Sequence, residues 1–171
     1  MSERIIRDVL LTDAERICEI YQTFVLESAV SFELTAPPVE EVRRRINTVN
    51  EQRPWIVMAC DGQVIGYAYA SSFRDREAYQ FTVETTVYVE SDFQRQGVGY
   101  ELMQHLLLRL SKLGYHAAVA GISLPNPGSI ALHEQLGFRR AGVLPQVGRK
   151  FDAWHDIGFW ILSLPKYKSK G

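Results

Sequence analysis

The sequence predicts an α/β protein in which helices flank one central, mostly antiparallel sheet. The first observation is the order of predicted elements, β-α-α-β-β-β-α-β-α-β-β, which mixes helices and strands without a regular βαβ repeat. The second is Asp61-Gly62 between two apolar runs, a pattern typical of a tight antiparallel hairpin. The composition, 46% hydrophobic and 23% charged residues, is typical of a globular protein.

The first part of the chain predicts one strand and two helices. Residues 5–9 have the pattern of a short strand. Thr12 and Glu15 have the spacing of a capping box at the start of a helix that ends near Glu27. Pro37-Pro38 suits the start of the second helix, because proline is tolerated in the first turn. Apolar residues at helical spacing support both helices: Ile17, Ile20, Tyr21, Phe24 and Val25, then Val39, Val42, Ile46 and Val49.

Three strands follow. Residues 55–60 are an apolar run that predicts a buried strand, and residues 63–70 form the returning strand after a type I′ turn at Asp61-Gly62. Residues 81–89 alternate, so that Glu84 lies on the opposite face from Val83 and Val87. A bulge would exchange the faces partway along this strand.

The last part of the chain predicts two helices and three strands. Residues 98–113 form a helix that ends before Gly114, and residues 128–136 form a shorter helix closed by Gly137. The predicted strands are residues 116–122, Val143-Leu144 and residues 157–162.

Length and charge exclude several functional classes. The 171 residues suggest a single domain, residues 1–165, followed by a short basic tail at 166–171. The net charge of -1 gives no electrostatic reason to expect nucleic acid. We expect no membrane span, because no run approaches about 18 apolar residues. Cys18 and Cys60 are expected to be buried free thiols, no metal site is indicated, and a cytoplasmic protein is the default expectation.

A glycine-containing loop lies between a predicted strand and a predicted helix. Gly97 and Gly99 allow close approach of a ligand to the backbone, and the N–H groups of the first helical turn favour an anion. Arg95 adds a cation. Taken alone, an ordinary turn before a helix explains the loop as well as a phosphate site does. The spacing matches neither the P-loop nor the G-x-G-x-x-G dinucleotide motif.

Several segments together resemble the GNAT superfamily of acyl-CoA N-acyltransferases, and more narrowly the phosphinothricin N-acetyltransferase family, which also acts on methionine sulfoximine. The superfamily resemblance is carried by residues 87–89, the loop 94–99, Asn126, and residues 131–138. The narrower resemblance is carried by residues 31–35, 82–89, 132–134, 147–150 and 154–160.

The resemblance implies a GNAT-like fold with a mixed sheet, a splayed strand pair near a bulge, and acetyl-CoA as cosubstrate. It implies that backbone groups of the loop hold the pyrophosphate and that a free strand edge pairs with the pantetheine arm. A helix cap before Pro127 is the alternative role for Asn126. The implied cofactor residues are Val87, Tyr88, Val89, Arg95, Gln96, Gly97, Val98, Gly99, Tyr100 and Asn126.

Amine acetylation needs a base, because an ammonium has no lone pair to attack the thioester. Glu84 is the candidate, acting directly or through a water, and its alternative is a solvated strand glutamate. His133 stands where many members of the superfamily carry a tyrosine. It is a candidate acid for the departing thiolate, an assistant to the base, or a structural helix residue.

The segment 72–79 is dense in charge and is the predicted substrate loop. Its arginines suit a carboxylate or a phosphinate. The resemblance implies substrate contacts at Arg74, Asp75, Arg76, Glu84, Thr85 and Thr86. It also implies a homodimer in which Phe32 approaches the active site of the related subunit, and Lys150 and Trp154 either close the pocket or pack at an interface.

The expected function is acetyl-CoA-dependent acetylation of the α-amino group of a small amino acid analogue. Phosphinothricin, methionine sulfoximine and methionine sulfone are the expected substrate type. One alternative is another amine, including a peptide N-terminus. A second alternative is a non-catalytic CoA-binding module, and activity that depends on Glu84 separates it from an enzyme.

Overall fold

A seven-stranded sheet is the centre of the computed structural model, which describes residues 3–48 and 53–167. The strands are β1 Arg4–Asp8, β2 Trp55–Cys60, β3 Gln63–Ser72, β4 Thr82–Val89, β5 Ala117–Leu124, β6 Arg139–Lys150 and β7 Ala153–Ser163. The helices are α1 Ala14–Glu27, α2 Val39–Thr48, α3 Val98–Lys112 and α4 Pro127–Gln135, with short 3₁₀ turns at Leu11–Asp13, Glu77–Tyr79, Ser91–Phe93 and Leu164–Lys166.

The sheet has the order β1-β2-β3-β4-β5-β7-β6 and is antiparallel except between β4 and β5. Those two strands pair only at Thr82, Val83 and Glu84, and then they diverge. The mixed, mostly antiparallel sheet with a splayed pair is therefore confirmed. The register of β4 with β3 runs from Val83 to Val89 without a bulge, so the predicted alternation of faces holds along the strand.

Helices cover both faces of the sheet. On one face α1 and α2 pack against Trp55, Val57 and Tyr67. On the other face the leucines of α3 form the centre of the larger core cluster, with Val83 beneath them and α4 beside them. Because β4 contributes Val83 to one core and Tyr88 to the edge of the other, it is held from both sides at the point where it leaves β5.

The predicted capping box at Thr12 and Glu15 is wrong. The carboxylate of Asp13 instead accepts a hydrogen bond from the N–H of Leu10 at 2.8 Å and is paired with Arg7 at 2.7 Å. A 3₁₀ turn precedes α1, so the capping carboxylate acts one turn earlier than the sequence spacing suggests. Glu15 pairs with Arg43 of α2.

The last two strands are much longer than Val143-Leu144 and residues 157–162. Most residues of β6 are exposed, so the strand lacks the apolar alternation that would predict it. It forms by pairing with β7 along a hairpin that turns at Phe151-Asp152, where φ is 52° and 56°. This turn has the positive φ values of a type I′ turn, but it lacks the Asn-Gly or Asp-Gly sequence that would have predicted it.

The structure also describes the predicted hairpin turn and both cysteines. The turn at Asp61-Gly62 has φ of 49° and 85°, as a type I′ turn requires. Cys18 and Cys60 are buried and free. Val49 and the end of the basic tail, residues 168–171, lie outside the described residues. Among the helices that the structure describes, none has the length and hydropathy to cross a bilayer.

Candidate active site

Two cavities meet where β4 and β5 diverge. The first, of about 640 Å³, contains Glu84 and is called the glutamate cavity. The second, of about 530 Å³, contains the loop 94–99 and is called the glycine-loop cavity. Both are lined by Val30, Val87, Tyr88, Asn126 and Ser129. A ligand long enough to occupy the second cavity can therefore present its end to the first.

The glycine-loop cavity has the features of a phosphate site. Gly97 adopts φ of 84° immediately before α3, so the first N–H groups of that helix face outward at its positive end. Arg95 has φ of 59° and lies in the cavity wall with Gly97, Gly99 and Tyr100. A Cβ at Gly99 would lie 3.5 Å from Leu132, an ordinary van der Waals contact, so this position lies next to α4.

Two predicted loop residues have structural contacts as well. The side chain of Gln96 donates to the carbonyl of Asp92 at 2.8 Å and accepts from Arg4 at 2.9 Å. Val98 is buried in the core below the loop. Neither side chain belongs to the cavity wall, so any contact they make with a phosphate is expected through their backbone N–H groups.

The edge of β4 beyond Glu84 is available to a ligand. Val87 and Tyr88 line both cavities, and Val89 lines the glycine-loop cavity. Beyond Glu84 the side of β4 that faces β5 is left unpaired by that strand, which suits an extended ligand with amide groups. An extended acyl-CoA thus fits the loop and this edge together.

Asn126 combines both roles considered for it. Its Oδ1 accepts from the N–H of Ser129 at 3.1 Å and so caps α4. The same residue lines both cavities at their junction. The cap fixes the side chain where a ligand would pass.

Glu84 is a half-buried carboxylate in the glutamate cavity. Burial raises its pKa above the ordinary value. Its Oε1 lies 3.3 Å from where a Cβ on Gly121 of β5 would be, so glycine at that position leaves room for the carboxylate. A carboxylate with a raised pKa in a cavity wall is suited to taking up a proton.

His133 is 4% exposed, on the side of α4 that faces the glutamate cavity. Its Nδ1 lies 2.7 Å from the carbonyl oxygen of Ser129. Because a carbonyl only accepts, Nδ1 carries a proton and donates. Burial lowers the pKa of His133, so the ring is neutral near pH 7 and its Nε2 holds a lone pair. This arrangement suits a proton acceptor and not a proton donor.

We therefore expect nitrogen NMR of the protein at pH 7 to show His133 as the neutral Nδ1–H tautomer. The ring should stay neutral when the pH is lowered to its ordinary pKa of about 6.5. Exposed His116→Gln serves as an assignment control, because that change should leave the His133 resonances in place. An imidazolium or an Nε2–H tautomer at pH 7 would contradict this assignment.

Arg74 is the predicted substrate-loop residue that the structure places in the glutamate cavity wall. Its guanidinium lies 5.2 Å from the ring centre of Phe73 and 5.9 Å from that of Tyr79, so aromatic contacts orient it. Asp75 and Arg76 are exposed and lie outside that wall.

The remaining predicted substrate residues, Thr85, Thr86 and Phe32, all line the glutamate cavity. The hydroxyl of Thr85 is buried and has no hydrogen-bond partner among the described residues. Phe32 lines the same cavity as Glu84 within one chain, so its position there does not require a second subunit.

Several cavity residues were not predicted from the sequence. Tyr21, Ser31, Gly121, Ser123, Ser129 and Phe159 line the glutamate cavity. They come from α1, the α1–α2 connection, β5, α4 and β7. Only the fold brings these elements together, so no local spacing in the sequence relates them. The i, i+4 spacing of Ser129 and His133 is a local signal that could have related Ser129 to a predicted site residue.

Comparison with known proteins agrees with this geometry. A family model described as an acetyltransferase (GNAT) domain matches residues 6–158. The chain is 38% identical over 155 residues to phosphinothricin N-acetyltransferase of Streptomyces viridochromogenes, covering 91% of this chain and 85% of that one. It is 38% identical over 168 residues to L-methionine sulfoximine/L-methionine sulfone acetyltransferase of Pseudomonas aeruginosa, covering 96% of both.

A solved structure gives the same result for the fold and the acyl donor. A GNAT superfamily phosphinothricin acetyltransferase of Sinorhizobium meliloti, in complex with acetyl-CoA, superposes with a TM-score of 0.90 at 36% identity. The alignment covers 94% of this chain and 88% of that one. The chain therefore belongs to the GNAT family of acetyltransferases and is an N-acetyltransferase that uses acetyl-CoA.

Proposed function

We propose that the acceptor is the α-amino group of a small amino acid analogue of the phosphinothricin, methionine sulfoximine or methionine sulfone type. The observation that carries the proposal is that the glutamate cavity contains the Arg74 cation and the half-buried Glu84 carboxylate and joins the glycine-loop cavity. A guanidinium suits the carboxylate or phosphinate of such a molecule. Its amine can then lie toward Glu84. The names of the two sequence relatives support the same acceptor class.

The chain's own residues account for the proton transfer. Glu84 receives a proton from the acceptor ammonium, directly or through one water, which leaves a lone pair for attack. Acetyl-CoA supplies the acetyl thioester. The backbone N–H of Val87 or Val89 donates to its carbonyl oxygen, where negative charge develops. The new bond joins nitrogen to the acetyl carbon, and the carbon–sulfur bond breaks. The nitrogen then gives up a second proton, through solvent, to the departing thiolate, and Glu84 returns the first proton to solvent.

The departing thiolate needs little help from the protein, because an ordinary thiol has a pKa of about 8.5. We assign His133 a role as an accessory proton acceptor, since its Nδ1–H is committed to Ser129. The cofactor residues proposed from the sequence keep their roles. The loop 95–100 holds the pyrophosphate, Val87, Tyr88 and Val89 pair with the pantetheine amides, and Asn126 contacts the same arm.

We propose a homodimer and a cytoplasmic location for a single catalytic domain, residues 1–165. The β6–β7 hairpin supports the dimer, because it exposes apolar side chains that a monomer would leave in water. These are Leu144, Val147, Phe151 and Trp154, which are 48%, 53%, 59% and 60% exposed. Trp154 is thus assigned to the interface.

A panel of acceptors tests the proposed function. Release of CoA is measured with methionine sulfoximine, methionine sulfone and phosphinothricin, and with peptides that have a free N-terminus. We expect kcat/KM for at least one of the amino acids to exceed that for every peptide by more than tenfold. Mass spectrometry should show one added acetyl group on the α-nitrogen. If the enzyme acetylates the peptides but none of the three amino acids, the acceptor is a peptide N-terminus and this proposal is wrong.

A further inference from the structure

Residues 31–33, in the connection between α1 and α2, line the glutamate cavity together with residues of β4 and β5 and are called the roof segment. Ser31 is buried, and its hydroxyl lies 2.6 Å from the hydroxyl of Tyr21. The same oxygen accepts from the N–H of Glu33 at 3.2 Å. The segment is therefore folded onto α1 by its own side chain and backbone.

A second set of contacts ties the roof segment to α2. The carboxylate of Glu33 accepts from the guanidinium of Arg45 at 2.6 Å and 2.9 Å. It also accepts a short hydrogen bond from Tyr21. Two-pronged charge-assisted bonding of this kind fixes both position and orientation. The helical side of the segment is thus held without any contribution from the hairpin.

The β6–β7 hairpin holds the segment from the other side. Lys150, which is only 3% exposed, donates from Nζ to the carbonyl oxygen of Ser31 at 2.8 Å. A buried ammonium is costly unless its donors are used. Its partner here is a main-chain oxygen of the roof segment, so the contact depends on where that backbone lies. The carbonyl of Lys150 in turn accepts from Nε2 of His155 at 2.9 Å.

Phe32 packs directly on the hairpin backbone. A Cβ on Gly148 would lie 2.0 Å from the ring of Phe32, which is far inside van der Waals contact. Only glycine lets the ring lie there. Phe32 is also 6.1 Å, centre to centre, from the ring of His155. Gly148 and Lys150 thus contact two consecutive residues of the roof segment.

We propose that Lys150 and Gly148 are positioning residues that fix the roof segment over the acceptor and thereby restrict the enzyme to small amines. This inference rests on the proposed function and adds a specificity determinant to it. Lys150 is not part of the cavity wall, so its effect passes through Ser31 and Phe32. The glycine-loop cavity is lined by neither Lys150 nor the roof segment, so acetyl-CoA binding should be independent of the contact.

Lys150→Met, Gly148→Ala and the control Arg149→Met test the proposal. Arg149 is a 60% exposed cation on the same strand, so its loss removes the same charge and leaves the roof segment alone. For Lys150→Met and Gly148→Ala we expect KM for methionine sulfoximine to rise at least tenfold with kcat changed less than threefold. KM for acetyl-CoA should stay constant. The ratio of kcat/KM for a dipeptide to that for methionine sulfoximine should rise. Lys150→Arg, which keeps a donor, should recover part of the loss.

Hydrogen exchange provides a readout that needs no turnover. Amides of residues 29–35 should exchange faster in Lys150→Met and Gly148→Ala than in the wild type or Arg149→Met, in the absence of acceptor. Unchanged exchange in both variants overturns the positioning role, as does a uniform loss of activity on all acceptors. If the wild type acetylates none of the amino acids, the proposed function fails while the exchange data still decide the role of Lys150.

Discussion

Glu84→Gln is expected to lower kcat by about 10²-fold, the usual contribution of a positioned general base. The amide keeps the size of the carboxylate but cannot take a proton from the ammonium. Acetyl-CoA should bind with unchanged affinity, because Glu84 lies in the glutamate cavity and not in the cavity of the loop. Steady-state kinetics and calorimetric titration with acetyl-CoA measure the two quantities.

Glu77→Gln is the matched control, since Glu77 is an exposed carboxylate just before β4. It should turn over like the wild type. In the wild type kcat should fall toward acid as Glu84 becomes protonated. Because burial raises the pKa of Glu84, this fall should occur above the ordinary carboxyl range. Turnover of Glu84→Gln within threefold of the wild type would remove Glu84 from its assigned role.

Glu84→Gln, which should lower kcat, should not lower the thermal stability of the protein at alkaline pH. The pKa of Glu84 is higher in the folded protein than in the unfolded chain. Its contribution to the free energy of unfolding is therefore fully present below its pKa in the unfolded chain. That contribution is lost as pH rises through its pKa in the folded protein. At pH 8 the wild type therefore buries a charge that the glutamine variant lacks. We expect Glu84→Gln to unfold at an equal or higher temperature than the wild type at pH 8.

Arg74→Met should raise KM for the amino acid acceptor by roughly tenfold or more, with KM for acetyl-CoA unchanged. A hydrogen bond to a charged group contributes about 1.5–3 kcal/mol, and 1.4 kcal/mol corresponds to tenfold in affinity. Arg74 is exposed before the acceptor binds, so the lower end of that range applies. Methionine preserves the unbranched stem and removes only the guanidinium, including its contacts with the rings of Phe73 and Tyr79.

Arg76→Met provides the comparison within the same loop. Arg76 is exposed and lies outside the cavity wall, so its loss removes an equal charge from the region without removing a cavity contact. We expect KM of Arg76→Met for the amino acid acceptor to differ from that of the wild type by less than threefold. Equal effects at positions 74 and 76 would mean that the loop acts through its overall charge and that Arg74 has no specific contact.

Local patterns in the sequence predicted the elements that form locally. The apolar run at 55–60, the Asp61-Gly62 turn and the helix ended by Gly114 are where the sequence places them, because each depends on neighbouring residues. Strand β6 was underestimated because its stabilising partner is β7 and its own residues are mostly exposed. The cap of α1 was misassigned because the carboxylate of Asp13 caps the preceding 3₁₀ turn, which the spacing of Thr12 and Glu15 does not reveal.

In the candidate site, too, features that depend on neighbouring residues could be predicted from the sequence, and features that depend on distant contacts could not. The glycine spacing of the loop 94–99 allowed a phosphate site or an ordinary turn, and the acyl donor was implied by several segments that together resemble the GNAT superfamily. The roof segment could not be predicted as a unit, because its contacts with Tyr21, Arg45 and Lys150 join residues 10, 12 and 119 positions apart. Whether Arg74 or Arg76 faces the cavity likewise depends on backbone direction in a loop and not on composition.

The most direct measurement is a crystal structure of the protein with CoA and methionine sulfone. The sulfur of CoA should lie at the junction lined by Val87, Asn126 and Ser129. The acceptor carboxylate or sulfone should meet the guanidinium of Arg74, and its amine should reach Glu84 directly or through one water, beneath the roof segment. An acceptor whose amine points away from both Glu84 and the sulfur would contradict the account of this enzyme.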